Sequence, residues 1–341
     1  MSDKDNIKNK NIKLSFAIPT YNGSKYIREA LDSIICQCDD NDEEIEIVVS
    51  DNASTDQTRE IIKEYQEKYR ENIFYYRNEK NVGPEKNIDL AVRRSKGEYV
   101  WLFSDDDVLI FPVLKKVLNV LNDYSDLSWI YVNYARYDNN LLNKIATVVD
   151  IYKDRYCKNG EEFFMITRFA NTALSSNIVR KREWENTYDI IKDISALHNQ
   201  TVLPIYLLKD KKSYIISSNL IKFRSPEDNK SRWMEDKETY LVLGLNMLHY
   251  FYEALEKNKY SYKLMKLLKK CFRYGIICNI LKLKCNDDNL SKIAILLIKR
   301  SSKKDFILYI VSFLCIYTPG WIMRIIYIKY KELKNIFVCN K

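Results

Sequence analysis

The stretch Leu-Ser-Phe-Ala-Ile-Pro-Thr-Tyr-Asn at residues 14–22 begins as an apolar run and ends in a Pro-Thr-Tyr-Asn loop. A short apolar run bounded by turn residues reads as a strand buried on both faces. Ser24 then opens a helical pattern through Ile27, Leu31, Ile34 and Ile35, so strand, loop and helix make one βα unit. A second unit follows, with a strand from Ile45 to Val49, the loop Ser-Asp-Asn-Ala-Ser-Thr-Asp at 50–56, and a helix carrying Ile61, Ile62, Tyr65 and Tyr69 on one side. Ser54 and Gln57 have the spacing of a capping box at the start of that helix. Further strands are predicted from Ile73 to Tyr76 and from Tyr99 to Phe103, with a polar stretch at 78–87 and a helix to about Arg94 between them. Alternation of this kind implies an α/β fold with a parallel sheet, which binds ligands at the carboxyl ends of its strands. Each polar cluster named here falls at such an end.

The fourth of these ends reads Trp-Leu-Phe-Ser-Asp-Asp-Asp at 101–107. Adjacent like charges repel and resist desolvation, so three carboxylates at the end of a buried strand suit a place where a cation or water neutralises them. Oxygen-only ligands point to Mg²⁺ or Mn²⁺ shared with substrate phosphates. The alternative is a solvated acidic turn capping the helix that begins near Val113.

Five ordered motifs carry a family resemblance: Ala-Ile-Pro-Thr-Tyr-Asn-Gly, Val-Val-Ser-Asp-Asn-Ala-Ser-Thr-Asp, Asn-Val-Gly-Pro-Glu-Lys-Asn, Lys-Gly-Glu-Tyr-Val-Trp-Leu and Ser-Asp-Asp-Asp. Together they resemble the family 2 inverting glycosyltransferases of GT-A fold, a Rossmann-like, mostly parallel sheet flanked by helices. The loop at 50–56 and the Tyr-Arg-Asn-x-x-Asn-Val-Gly-Pro stretch look most like the abequosyltransferase-type enzymes of bacterial surface polysaccharide synthesis. The resemblance covers about residues 12–125, weakens to about 225 and is absent beyond. It implies that Pro19, Thr20, Tyr21 and Asn22 cradle the base and ribose of a nucleotide-sugar, with Tyr21 available to stack. Asp51 and Asn52 would serve the same ligand, Lys86 would lie near its diphosphate, and Asn87 would hold the acidic loop. Asp105 and Asp106 would bind ribose or metal, with Asp107 in support; Asp106, the middle acid, is the foremost metal ligand. An acid commonly occupies the place of Ser104 in the family, and this chain departs from that pattern.

The implied reaction is a single displacement in which an acceptor hydroxyl attacks the anomeric carbon as the nucleoside diphosphate leaves. It needs a general base on the acceptor side. In relatives that base belongs to an acidic pair after an Arg-rich strand; Asn-Ile-Val-Arg-Lys-Arg-Glu-Trp at 177–184 fits the strand, but no Glu-Asp pair follows. The nearest candidates are Asp193 and His198, and His198 suits either a base or a metal ligand. His249, in an apolar helical stretch, reads as structural.

The surroundings follow from composition. With 341 residues, 46% of them hydrophobic, the chain can bury a large core and has room for a catalytic domain and an appendage. The eight cysteines include no Cys-x-x-Cys pair, and Cys271, Cys278 and Cys285 recur at helical spacing as packing residues, so a reduced, cytoplasmic setting is expected. The polar first residues lack a secretory core. Residues 261–341 hold 17 Lys/Arg against 4 Asp/Glu, interleaved with apolar residues, and residues 306–323 carry no charge. That pattern suits helices lying on the inner face of an anionic membrane, where a lipid-linked saccharide acceptor would be found. The alternative is a helical bundle that covers the catalytic domain or forms a homo-oligomer interface. The reading is therefore a GT-A catalytic domain at 10–225 and a helical, membrane-associating region at 236–341. A nucleic-acid-binding protein would share the basic tail but not the acids at strand ends. A sugar nucleotidyltransferase would carry a Gly-rich, Arg-containing loop after its first strand, which is missing here. A dinucleotide oxidoreductase would need Gly-x-Gly-x-x-Gly, which is also missing.

Overall fold

The computed structural model describes residues 11–38, 44–69, 72–192, 199–225 and 237–272, together with Ile322. The chain divides into two compact units, Met1–Asn229 and Lys230–Lys341.

The first unit is built on one ten-stranded sheet. Its amino-terminal half alternates β1 (Leu14–Thr20), α1 (Ile27–Ile35), β2 (Ile45–Asp51), α2 (Thr58–Lys68), β3 (Ile73–Arg77), α3 (Pro84–Arg94) and β4 (Tyr99–Leu102). The apolar pattern explains each element. Every residue of β1, β2 and β4 is buried, and α1 turns Ile27, Ala30, Leu31 and Ile34 inward. The second half contributes β5 (Val108–Leu109), α4 (Val113–Asp123), β6 (Trp129–Tyr137), β7 (Lys144–Thr147), β8 (Arg155–Cys157), α5 (Gly160–Thr167), β9 (Asn177–Arg180), α6 (Lys181–Ile191), α7 (Asn199–Leu207) and β10 (Ser213–Arg224). The strand order is β3-β2-β1-β4-β9-β6-β10-β5, with β7 beside β6 and β8 beside β10.

Strands β1 to β4 pair in parallel, while β9 runs antiparallel between β4 and β6. From β1 the chain winds outward through β2 and β3, then returns to place β4 on the other side of β1. The crevice between the carboxyl ends of β1 and β4 is therefore a topological switch point, where open α/β sheets bind ligands. Under it Phe16, Trp101 and Phe103 pack as a cluster, with Phe16 stacked on Trp101 at 5.0 Å.

Three local expectations are corrected. The first strand runs through Pro19 and Thr20, and the loop begins only at Tyr21. Proline is tolerated because Ala17 accepts from Phe103 N–H on the β4 side, so Pro19, two residues on, faces the same side beyond the last β4 pair, Ala17 with Leu102. The capping box is not formed, since α2 starts at Thr58 and it is Asp56 Oδ1 that accepts from Thr58 N–H at 3.0 Å. The strand read at 177–184 stops at Arg180, and Lys181 opens α6, which buries Trp184, Tyr188 and Ile191. Trp184 Nε1 donates to Asp89 of α3 at 3.1 Å, which fixes α6 against that helix.

In the second unit, α8 (Lys237–Lys257) brings His249 Nε2 to 3.1 Å from Glu253 Oε1 one turn on. Phe251 meets Phe272 edge to face at 5.4 Å. Among the described residues no helix is long and apolar enough to cross a membrane. Cys278, Cys285 and the uncharged run at 306–323, apart from Ile322, lie outside the described residues.

Candidate active site

The loops after β1 and β2 are locked together residue by residue. Asn22, with a left-handed φ of 52°, accepts at Oδ1 from Thr55 N–H (2.9 Å), and its own N–H donates to Ser54 Oγ (2.9 Å). Gly23 N–H donates to Thr58 Oγ1 and Ser24 N–H to Asp56 Oδ2. Burial works to raise the Asp56 carboxyl, but the hydrogen bonds from Ser24 and Thr58 outweigh it and hold the group below its ordinary value. Ala53 is forced to a φ of 65°, a conformation that costs an L residue about 1–3 kcal/mol and tends to accompany functional loops.

Asp51 is fully buried and its carboxylate organises this loop. Oδ1 accepts from the N–H and Oγ of Ser54, and Oδ2 accepts from Tyr75 Oη at 2.6 Å with Arg77 Nε 3.8 Å away. Asn52 Oδ1 accepts from Val82 N–H (2.9 Å) and Asn78 Nδ2 (3.0 Å), while its Nδ2 donates to Asn81 (2.8 Å). It thus clamps the loop that leads into α3. Beneath it a buried network joins Ser50, Asn78, Asn87 and Arg94: Asn87 Oδ1 accepts from Ser50 Oγ and Asn78 Nδ2, and Arg94 donates to both Ser50 Oγ and Asn78 Oδ1. Burial lowers the Arg94 pKa from its ordinary value. Asn87 therefore steadies the β2 and β3 loop ends, whereas Lys86 is exposed on the first turn of α3. Tyr21 is partly exposed at the tip of the first loop, and Pro19 is buried in β1.

The three acids after β4 occupy three environments. Asp105 is fully buried, and Oδ2 accepts from Thr20 Oγ1 at 2.5 Å, which ties β1 to β4 across the switch point. Asp107, 1% exposed, accepts from Ser175 Oγ at 2.6 Å and from Arg224 N–H at 3.1 Å. Burial and then the neighbouring Asp106 charge push the Asp107 carboxyl well above its ordinary value, against those two hydrogen bonds. Asp106 alone of the three is partly exposed, with Ser104 Oγ donating to Oδ1 at 2.5 Å. The acids do not cap α4; β5 and a turn intervene.

Among the described residues no three His, Cys, Asp or Glu side chains form a ready cation cage. A divalent ion shared with phosphates needs only one or two carboxylates, because water and phosphate oxygens complete its shell. A partly exposed Asp106 carboxylate at a strand-end crevice fits that requirement; Asp105 and Asp107 are turned toward protein partners. Asp193 and His198 lie outside the described residues.

Several residues at this site are not evident from the sequence. Asn78 and Asn81 stand in the polar stretch at 78–87, yet nothing local shows that they meet Asn52. Ser175 and Arg224 approach the acids from 68 and 117 residues away, where no sequence period links them. Gly23 closes the first of the five motifs, but its steric role emerges only from the fold.

A parallel half-sheet continued by an antiparallel strand, with polar loops gathered at one set of carboxyl ends, is the GT-A architecture. The chain belongs to the Glycosyl transferase family 2, whose family model matches residues 15–188. It is 34% identical over 193 residues to abequosyltransferase RfbV of Salmonella typhimurium, covering 50% of this chain and 54% of that protein. It is 27% identical over 271 residues to the poly(ribitol-phosphate) beta-N-acetylglucosaminyltransferase TarS of Staphylococcus aureus, covering 77% of this chain and 45% of that one. The chain thus spans about half the length of these curated relatives. Its fold is similar to the crystal structure of S. aureus TarS 1-349 in complex with UDP, with TM-score 0.60, 16% identity, and coverage of 89% of this chain and 91% of the other. It also resembles mannosyltransferase PcManGT from Pyrobaculum calidifontis in complex with GDP-Man and Mn²⁺, with TM-score 0.51, 16% identity, and coverage of 96% and 88%.

Proposed function

We propose that this chain is an inverting glycosyltransferase that moves a sugar from a nucleoside diphosphate donor to a hydroxyl of a saccharide acceptor in bacterial surface polysaccharide synthesis. The acceptor is lipid-linked, and the enzyme works at the cytoplasmic face of the membrane. The observation that carries the reading is the Thr20–Asp105 bridge across the β1/β4 switch point, with the partly exposed Asp106 beside it. Kinship with an abequosyltransferase and a poly(ribitol-phosphate) beta-N-acetylglucosaminyltransferase supports the reaction class.

In this mechanism the loop of Tyr21 and Asn22, pinned to Ser54 and Thr55, shapes the wall against which the base lies. Asp51 and Asn52 keep the second and third loops in register, so the donor meets preformed groups and little ordering is left to its arrival. Asp106 would hold Mg²⁺ or Mn²⁺, and the chemistry such an ion would supply is neutralisation of the charge that grows on a departing diphosphate. Lys86, exposed at the first turn of α3, adds positive charge toward the same diphosphate. Asp193 or His198 takes the proton of the acceptor hydroxyl.

The test is thermal stabilisation by a panel of nucleotide-sugars with Mn²⁺, followed by donor hydrolysis and transfer. A ligand at 100 times its Kd should stabilise the native chain by about 2.7 kcal/mol. Asp106→Asn should keep the fold and lower transfer by about 10²–10³. Release of pyrophosphate from a nucleoside triphosphate and a sugar phosphate would instead make the protein a nucleotidyltransferase. Full activity of Asp106→Asn would remove Asp106 from the reaction.

A further inference from the structure

Arg224 ends β10, and no part of the proposed mechanism uses it. Its side chain is 4% exposed, and three separate segments converge on it. Nε donates to the main-chain carbonyl of Asp106 at 2.9 Å. Nη2 pairs with Glu29 of α1 at 2.9 Å, and Nη1 donates to the carbonyl of Asn139, in the turn between β6 and β7. The guanidinium lies 4.3 Å from the centroid of the Tyr26 ring, whose hydroxyl donates to Asn139 Oδ1 at 2.9 Å. The Arg224 backbone N–H donates to Asp107 Oδ1 as well. Asp106 is thus held at its main chain by Arg224 and at its carboxylate by Ser104, which together leave its backbone little freedom.

We propose that Arg224 is a positioning residue for the metal site: by fixing the Asp106 carbonyl against α1 and the β6–β7 turn, it orients the Asp106 carboxylate for a divalent cation. The inference rests on the glycosyltransferase reading. The geometry asks for arginine, because only a planar fork of five N–H donors serves a carbonyl, a carboxylate and a second carbonyl while its carbon sits over a ring. Lysine keeps the charge but cannot span those partners. The neighbouring Lys222 reinforces the arrangement, with Nζ donating to the Leu141 carbonyl at 3.1 Å in the same β6–β7 turn.

The test measures Mn²⁺ binding to the full chain by loss of the free-ion EPR signal, with UDP and GDP each present, alongside the thermal unfolding midpoint. The variants are Arg224→Lys, Glu29→Gln, Tyr26→Phe and Asp106→Asn. Partners that orient a metal ligand are commonly worth about 10- to 100-fold in affinity, so Arg224→Lys should weaken Mn²⁺ binding by that range while remaining folded. Glu29→Gln and Tyr26→Phe, which leave Arg224 in place but loosen its seat, should weaken it less, and Asp106→Asn should abolish it. Wild-type Mn²⁺ affinity in Arg224→Lys, with only the unfolding midpoint lowered, would make the guanidinium a structural tie and end the proposal. If Arg224→Lys does not fold, unchanged affinity in both Glu29→Gln and Tyr26→Phe would end it equally. A wild-type chain that binds no Mn²⁺ with either nucleotide would sink the metal-dependent reading itself, which is a separate failure.

Discussion

Gly23 has no room for a side chain, because a Cβ there would lie 2.3 Å from Thr20 Oγ1 and 2.4 Å from Asp105 Oδ2. The residue is small so that the bridge between β1 and β4 can close over it. Gly23→Ala should therefore push Thr20 and Asp105 apart, costing about 1–3 kcal/mol in urea unfolding as overpacking does, and should weaken Mn²⁺-dependent nucleotide binding at the same time. A stable variant with unaltered binding would show that the bridge is not part of the site. The side chains at the strand ends were legible because they cluster within a few residues of each end. Their partners were not. The resemblance assigns Asp51 to the nucleotide, and no local pattern shows that its carboxylate also meets Ser54, Tyr75 and Arg77. The resemblance singles out the middle acid, Asp106, and the alternation of side chains along the segment adds the physical distinction, burying Asp105 and Asp107 and leaving Asp106 partly exposed.

At the scale of elements, three βα units and the fourth strand were readable because short apolar runs alternate with period-3.6 patterns with few interruptions, and helix ends were less so because caps are chosen by tertiary partners. The start of α2 shows this. Ser54 has the right spacing to cap it but is already bonded to Asp51 and Asn22, so Asp56 takes Thr58 N–H and also reaches Ser24 of the preceding loop. A carboxyl held below its ordinary value of 3.8 in the folded state contributes stability that is present above pH 3.8 and is lost as pH falls through the lowered value. Asp154 adds to the same trend: burial opposes it, but hydrogen bonds from Ser217 and Lys116 hold it low as well. The unfolding midpoint should drop as the solution is acidified below that value, and Asp56→Asn should flatten the drop without removing it. An Asp56→Asn curve parallel to that of the wild type would assign acid lability to other carboxyls.

For the whole molecule, the parallel half of the sheet follows from local pattern, but the other half depends on pairings that local pattern does not encode. Asn177 joins both Leu102 and Tyr131, and β10 joins β6 over a register shift between Ile216 and Ile221. Charge, by contrast, is additive along the chain, so its uneven distribution can be read without any coordinates. The surplus of 17 Lys/Arg over 4 Asp/Glu after residue 260 gives the molecule one strongly basic region beside a long uncharged run. If that region meets a membrane, the full-length protein should sediment with vesicles containing phosphatidylserine and not with pure phosphatidylcholine. Raising salt from about 0.1 M to 1 M shortens the screening length from about 10 Å to 3 Å and should release much of it. Replacing Lys299, Arg300, Lys303 and Lys304 with glutamine should cost about 1 kcal/mol per charge, roughly a fivefold loss of affinity for each. Salt alone does not identify the partner, since RNA binding would weaken too. The discriminating result is the lipid itself: indifference to phosphatidylserine, with RNA bound instead, would move the basic region to nucleic acid, and indifference to both would leave it as a protein-facing surface.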